Sequence, residues 1–331
     1  MIGMAVLGCG RIGRLHARNV ARHPRARLLA VFDVLSEAAQ ATAHELGVKS
    51  ARDLDEIWSD RDIRAVLVAT TTPTHVPLIS AAVKAGKVVL CEKPVDLDLE
   101  RARACWNEIA AARPVVMIGF NRRFDPSYRA LHERLQRGEV GQLELAIITS
   151  RDPEPPPPSY IKGSGGLMRD MTIHDFDMAR YLAGDIAELH AFGANLVDPQ
   201  IGSLGDIDTC AISLRARAGA LLQINNSRRS VFGYDQRIEV FGSGGMLQAG
   251  NRRATAVEAW SSESTGARDV LLHSFLERYA QAYAAELDAF VAALEEGQPM
   301  SPGFGDGVEA LRLAVAAEES VRTGRAVSLG S

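Results

Sequence analysis

Apolar runs of four or five residues alternate with helically patterned stretches through the first 120 residues. Residues 4–7, 28–32, 65–69, 87–91 and 115–119 read as buried strands, with a shorter one near Lys49 and Ser50. The intervening 11–21, 36–46, 53–59, 75–85 and 98–112 repeat their apolar positions at helical spacing. Strands apolar on both faces, each followed by a helix, predict a parallel, doubly wound sheet. Past residue 120 the rhythm changes. A helix from Asn121 to about Arg137 ends at glycines 138 and 141. Strands at 143–150, 187–195, 208–215, 219–227, 235–241 and 246–249 then predict an antiparallel sheet with one covering helix layer. Helices 274–295 and 306–323 close the chain, with Gly297 and Gly324 as C-cap signals.

The first strand runs into Gly8-Cys9-Gly10-Arg11-Ile12-Gly13, and a helix follows at once. That strand, turn and helix form the context a dinucleotide fingerprint requires. Gly8 permits the tight turn, Gly10 lets backbone approach a pyrophosphate, and Gly13 lets the helix pack closely on the strand. The N–H groups at the helix start favour the phosphate charge. The second strand ends at Asp33, 20 residues past Gly13, placed to accept hydrogen bonds from ribose hydroxyls. A carboxylate there repels a 2′-phosphate, and Val34 and Leu35 offer it no cation, so NAD is favoured over NADP. The expected fold is α/β: an N-terminal Rossmann domain over 1–120 and a C-terminal α+β domain over 121–305 with a large, mainly antiparallel open sheet. A last helix in 306–331 is expected to pack back toward the N-terminal domain.

Ligands of such sheets bind at the strand C-termini, and two loops there carry chemistry. Thr70-Thr71-Thr72-Pro73-Thr74-His75 offers hydroxyls to a nicotinamide ribose, although Thr74 serves equally well as a helix cap. In Cys91-Glu92-Lys93-Pro94 the proline biases Lys93 toward an extended backbone that aims its side chain off the strand end. Further on, 151–158 is proline-rich and reads as a stiff extended loop. The stretch 165–182 follows as a well-packed helix that carries a second, ionisable stripe of Asp170, His174 and Asp177. Asp170 and His174 would lie ~40° apart around the helix axis, one turn above the other. A carboxylate held against an imidazole is what a proton-transfer site needs. A solvated polar face explains the stripe as well. Tyr234 sits at a hairpin-like bend, where a phenol reaches a ligand or simply packs.

With 331 residues, 47% apolar and 24% charged, the chain has the composition of an ordinary globular protein and the length for two domains. A net charge of -4 with dispersed Lys and Arg gives no footprint for nucleic acid or an anionic membrane. Cys9, Cys91, Cys105 and Cys210 form no Cys-x-x-Cys pair, which argues for free thiols in a reducing compartment and against structural zinc. No metal is expected. The first residues lack a basic n-region and read as a strand, not a signal peptide. No apolar run approaches the ~18 residues of a membrane span, and a cytoplasmic location is expected.

Four longer runs extend the picture: 119–126 (Gly-Phe-Asn-Arg-Arg-Phe-Asp-Pro), 150–153 (Ser-Arg-Asp-Pro), 170–180 and 234–240 (Tyr-Asp-Gln-Arg-Ile-Glu-Val). With them, the chain resembles the glucose–fructose oxidoreductase/inositol dehydrogenase family over essentially its whole length, and the bacterial inositol 2-dehydrogenase subgroup in particular. The resemblance implies Lys93, Asp170 and His174 as catalytic residues, with Arg122, Asp152 and Tyr234 as further substrate contacts. It implies cofactor contacts on Arg11, Ile12, His75, Glu92 and Tyr283 beside Gly8, Gly10, Gly13, Asp33, Thr70 and Thr71. Lys93 and Arg122 would also reach the cofactor. The second domain would supply a flat sheet through which such enzymes form homotetramers. More distant inositol dehydrogenases have Asn where this chain has Asp152, so the choice of inositol or sugar is where this chain can differ.

The activity implied is NAD-dependent oxidation of a ring secondary alcohol of a cyclic polyol, myo-inositol to 2-keto-myo-inositol (scyllo-inosose). A scyllo-inositol or L-glucose- or D-glucose-type dehydrogenase is the neighbouring alternative, and a catalytically inert NAD-binding regulator the alternative of another class. His174 would take the hydroxyl proton, an imidazole's ordinary pKa of ~6.5 suiting that step. Asp170 would orient the ring, and Lys93 would stabilise the developing alkoxide. Asp170 and His174 as a zinc pair would lack a third ligand, and Lys93 would repel the cation. A regulator of this fold should have lost the lysine or the histidine, and this chain has both.

Overall fold

Six parallel strands make the first sheet: β1 (Ile2–Leu7), β2 (Ala26–Phe32), β3 (Lys49–Ser50), β4 (Ala65–Val68), β5 (Val88–Glu92) and β6 (Val116–Gly119). Their order is β3-β2-β1-β4-β5-β6, so the winding reverses between β1 and β4. In this computed structural model, which describes residues 1–330, Ala5, Val6, Leu7, Val66, Leu67 and Val68 expose none of their surface. Strands covered on both faces must be apolar throughout, and each Val or Leu so buried contributes roughly 1.5–3 kcal/mol. Helices α1 (Arg11–Arg22), α2 (Ser36–Leu46), α3 (Asp55–Trp58), α4 (His75–Lys84) and α5 (Leu99–Ile109) make the crossovers.

Met1–Asn121 and Tyr283–Arg312 form this first unit. Residues 283–305, expected in the second domain, therefore belong to the first, and side chains show why. Arg25 donates to Asp288 (2.6 Å) and Glu295 (2.8 Å), and Phe304 stacks on Trp106 with ring centroids 5.1 Å apart.

The second unit comprises Arg122–Ala282 and the chain from Leu313 onward. It begins with α6 (Pro126–Gln136), β7 (Leu143–Arg151), α7 (Pro158–Ser164), α8 (Ile173–Ala183), β8 (Ile186–Ala194) and α9 (Pro199–Ser203). Strands β9 (Thr209–Ala216), β10 (Leu221–Ser227), β11 (Asp235–Gly242) and β12 (Gly245–Ala249) follow, then the hairpin β13 (Glu258–Trp260) and β14 (Thr265–Arg268). The chain ends with α10 (Phe275–Arg278), α11 (Ala280–Glu296), α12 (Phe304–Thr323) and β15 (Val327–Ser328). The seven-stranded sheet runs β12-β11-β7-β10-β9-β8-β15, with only β7 and β10 parallel. The final helix, expected to pack back toward the first domain, is divided. From Leu313 it belongs to the second unit, where Ser320 Oγ accepts from Ala191 N at 2.9 Å and β15 extends the sheet beyond β8.

Two outcomes test this packing. A Cβ at Gly13 would lie 1.9 Å from the Gly8 carbonyl oxygen, with backbone on both sides of the contact. Gly13→Ala should cost at least about 3 kcal/mol in denaturant melts, because a close-packed turn cannot relax. Glu318, paired with Arg169 at 2.5 Å, is raised to about 7, chiefly by burial. A carboxyl raised in the folded state stabilises at low pH and loses that contribution as pH rises from its unfolded value through about 7. Thermal melts should show that decline in the parent chain and a flatter profile for Glu318→Gln.

Candidate active site

Backbone makes the anion cradle of the first unit. Helix α1 starts at Arg11 behind Gly10, with no side-chain cap and no acid in its first turn, so the partial positive charge of its N-terminus suits an anion. Gly8 has φ +94°, and a Cβ there would strike the Ala69 carbonyl at 2.4 Å, whereas the space beside Gly10 is open. Asp33 ends the neighbouring strand and is locked by Cys9 N (2.6 Å) and Leu35 N (2.8 Å). Val34 and Leu35 stand 88% and 69% exposed beside it, with no cation to meet a 2′-phosphate. These residues fit a dinucleotide without that phosphate: Gly10, Arg11, Ile12 and Gly13 would hold its pyrophosphate and Asp33 its ribose.

Buried His75 lies between the two strand-end loops. Its Nδ1 lies 2.8 Å from the Pro94 carbonyl and its Nε2 3.1 Å from the Thr70 carbonyl, and burial pulls the imidazole toward its neutral form. Thr74 does not cap α4. Its hydroxyl turns back to Thr71 O at 2.7 Å, beside Thr70 Oγ1. Lys93 stands half-buried between Glu92 and the bonded Pro94, with exposed Thr71 on the neighbouring loop.

Behind Lys93, Glu92 Oε1 and His16 Nε2 share a hydrogen bond of 2.7 Å, and Tyr283 meets the His16 ring edge-on at 5.4 Å. Glu286 completes the group, its ligand atom within 4.8 Å of theirs. This donor set was not foreseen in the sequence, because its members are 76 to 270 positions apart. Burial first, and Glu92 second, hold the Glu286 carboxyl neutral well above its ordinary range.

In the second unit the side chains organise around buried ion pairs. Arg122 Nη1 donates to Asp175 Oδ1 at 2.5 Å and to Ser150 Oγ at 2.9 Å, while Asn226 donates to Asp175 Oδ2 at 2.7 Å. Arg123 grips Asp177 through two bonds of 2.8 and 2.5 Å, which gives the outermost acid of the expected stripe a structural task. Tyr234 is buried edge-on to Tyr279 at 6.0 Å, and burial pushes its phenol up so that it remains a neutral hydroxyl.

The stretch expected as one regular helix has a π-helical turn over Met168–Thr172 before α8 begins at Ile173. Asp170 lies in that turn and His174 is the second residue of α8, so the 40° stacking of a regular helix does not apply. Such bulges insert a residue into the helical phase and recur at functional sites. Gly165 (φ +83°) and Gly166 (φ +82°) turn the chain into it, and Asp206 receives Leu167 N at 2.9 Å.

Asp170 is held through both oxygens. Tyr160 donates to Oδ1 at 2.8 Å and Arg228 to Oδ2 at 2.9 Å, and Arg228 also donates to Asp152 Oδ2 at 3.2 Å. Sequence reasoning missed both donors. Tyr160 lies on α7, which grows directly out of the proline run read as loop. Arg228 follows β10 as Asp152 follows β7, one step beyond the register pair Ser227 and Arg151. Burial, with Asp170 adding to it, raises the Asp152 carboxyl against the pull of Arg228. The arrangement fixes the Asp170 carboxylate and can present further acceptors to hydroxyl groups.

Residues 2–153 match the GFO/IDH/MocA family, described as an oxidoreductase family with an NAD-binding Rossmann fold, and 128–248 match a C-terminal domain of the same family. An inositol 2-dehydrogenase of Rhizobium meliloti (strain 1021) is 45% identical over 329 residues, 99% of each chain. A crystal structure of a myo-inositol dehydrogenase from Corynebacterium glutamicum superposes with a TM-score of 0.97 at 46% identity, over 100% of this chain and 99% of that one. A Lactobacillus casei scyllo-inositol dehydrogenase, solved with NAD(H) and scyllo-inositol, gives 0.92 at 30% identity over 100% of both chains. Similar from end to end to enzymes of this kind, and carrying the dinucleotide cradle described above, the chain belongs to the GFO/IDH/MocA family of NAD-binding oxidoreductases.

Proposed function

We infer that this chain oxidises a ring secondary alcohol of a cyclic polyol, myo-inositol at C2, to the ketone. One observation carries the chemistry: Asp170 is fixed through both carboxylate oxygens, four residues before His174. A carboxylate so held can orient the imidazole and stabilise the imidazolium that forms. The relatives named for inositols supply the substrate class. Bound NAD supplies a hydride acceptor. His174 takes the hydroxyl proton, and Lys93 places an ammonium where negative charge grows on the alcohol oxygen. Asp152, Tyr234 and Arg122 hydrogen-bond the remaining hydroxyls, because a polyol is selected by a dense set of polar partners.

We also assign the chain to a homotetramer built on the outer face of the second sheet. Leu221, Leu145, Phe241 and Met246 lie side by side across β10, β7, β11 and β12, each between 43% and 53% exposed. A contiguous apolar row of that kind is ordinarily covered. The four cysteines are buried and unpaired, which supports a reducing, cytoplasmic setting. No helix among the described residues is long and apolar enough to cross a membrane.

Absorbance at 340 nm should rise when the protein meets NAD and myo-inositol, and more slowly with scyllo-inositol, D-glucose or L-glucose. His174→Ala should lower kcat by about 10²–10⁴ with NAD affinity retained, and Lys93→Met by about 10²–10³. Near-parent turnover in either variant removes the assigned role, and no turnover by the parent on any of the four alcohols removes the reading. Light scattering should give four subunits for the parent and fewer for Leu145→Asp. A monomeric parent would refute the assembly.

A further inference from the structure

We propose that Arg228 is a positioning residue that keeps Asp152 and Asp170 ionised side by side, so that a polyol meets two acceptor-only carboxylates. The inference rests on the polyol reading above and adds a residue and a basis for selectivity to it. Its support is geometric. Parallel pairing of β7 and β10 ends at Arg151 and Ser227, and the next residue on each strand is Asp152 and Arg228. Asp152 N donates to Ser227 O at 2.9 Å and Arg228 N to Asp208 O at 2.8 Å, so both backbones are fixed. From that position one guanidinium reaches Asp152 with Nη1 and Asp170 with Nη2. Its side chain is 4% exposed, while Asp152 keeps 23% and Asp170 11%. The cation lies inside and the carboxylates face outward.

Two neighbouring buried carboxylates do not both stay ionised without such a partner. The other groups facing them do not replace it. Arg122 also acts on Asp152 but is bonded to Asp175, Tyr234 is neutral, and Asp206 adds a further negative charge beside Arg228. Tyr160 donates to Asp170, and Cys210, near Arg228, is a neutral thiol pushed up to about 12. His174 shares the segment of Asp170 and adds its own charge only when protonated. An ionised Asp152 accepts from substrate hydroxyls through its lone pairs, whereas an amide there would donate as well as accept. Arg228 thereby sets which hydroxyl pattern is read.

A double-mutant cycle over Arg228→Gln and Asp152→Asn tests this, with two readouts. In thermal melts of the ligand-free protein, Arg228→Gln should lose about 3–6 °C more at pH 8 than at pH 5, since a carboxyl forced to hold its proton loses its stabilising effect as pH rises. Adding Asp152→Asn should remove most of that pH-dependent loss. In turnover, Arg228→Gln should raise KM for myo-inositol by about tenfold or more, with a pH dependence absent from the parent. Arg228→Lys, which keeps the charge but not the fork, should recover part of it. Additive melting losses with no pH dependence overturn the proposal, as does a KM for Arg228→Gln that follows the parent at every pH. A parent without polyol turnover would fail the function reading alone, because the melting cycle needs no substrate.

Discussion

Burying a positive charge is tolerable only if a negative one is buried with it, and the second unit is arranged around three such pairs. Arg122 meets Asp175, Arg123 meets Asp177, and Arg278 meets Asp125, each pair almost fully enclosed. Removing one member of such a pair strands the other and costs about 3–5 kcal/mol. Two of the pairs join the segment after β6 to α8 through residues that follow His174 by one and three positions. The orientation of α8 is thus set by charge pairing, and the imidazole inherits it. Arg278 continues the same logic, lying over the rings of Tyr128 and Tyr279 at 5.4 and 4.7 Å.

The first unit meets its ligand by other means. Its cradle consists of glycines and a helix start without a side-chain cap, and its specific acid, Asp33, is locked by backbone donors. Next to Lys93, burial keeps the Glu286 carboxyl of the His16, Glu92 and Glu286 group protonated in the interior. A cofactor of fixed shape suits a backbone mould. A substrate distinguished only by the stereochemistry of its hydroxyls calls for adjustable polar side chains.

Patterns that depend on neighbouring residues were legible in the sequence. Both-faced apolar runs announced the parallel sheet, and the glycine turn with Asp33 announced the dinucleotide. The polar residues that matter most were less visible, for physical reasons. Periodicity cannot distinguish Asp175, with no exposed surface, from an acid in water. Nor can it show the π-helical turn that shifts Asp170 out of helical phase. Arg228 acquires its task from a parallel strand register 76 residues away, and a run of prolines concealed the short helix that carries Tyr160. Residues 283–305 looked like any amphipathic segment, because a helical stripe does not say which core it will meet.

The chain leaves the first unit after Asn121, returns at Tyr283 and departs again after Arg312. This threading bears on how the protein is born. A ribosome adding roughly 5–20 residues per second would need on the order of 10–40 s to travel from the first departure to the last. For that interval the six-stranded sheet is complete in its strands, yet it lacks Phe304 and the segment bearing Glu286. The second unit waits too, since the chain from Leu313 onward brings the Ser320 bond and the edge strand β15. Both halves are completed by the same last helix, the first by its opening turns and the second by its closing ones.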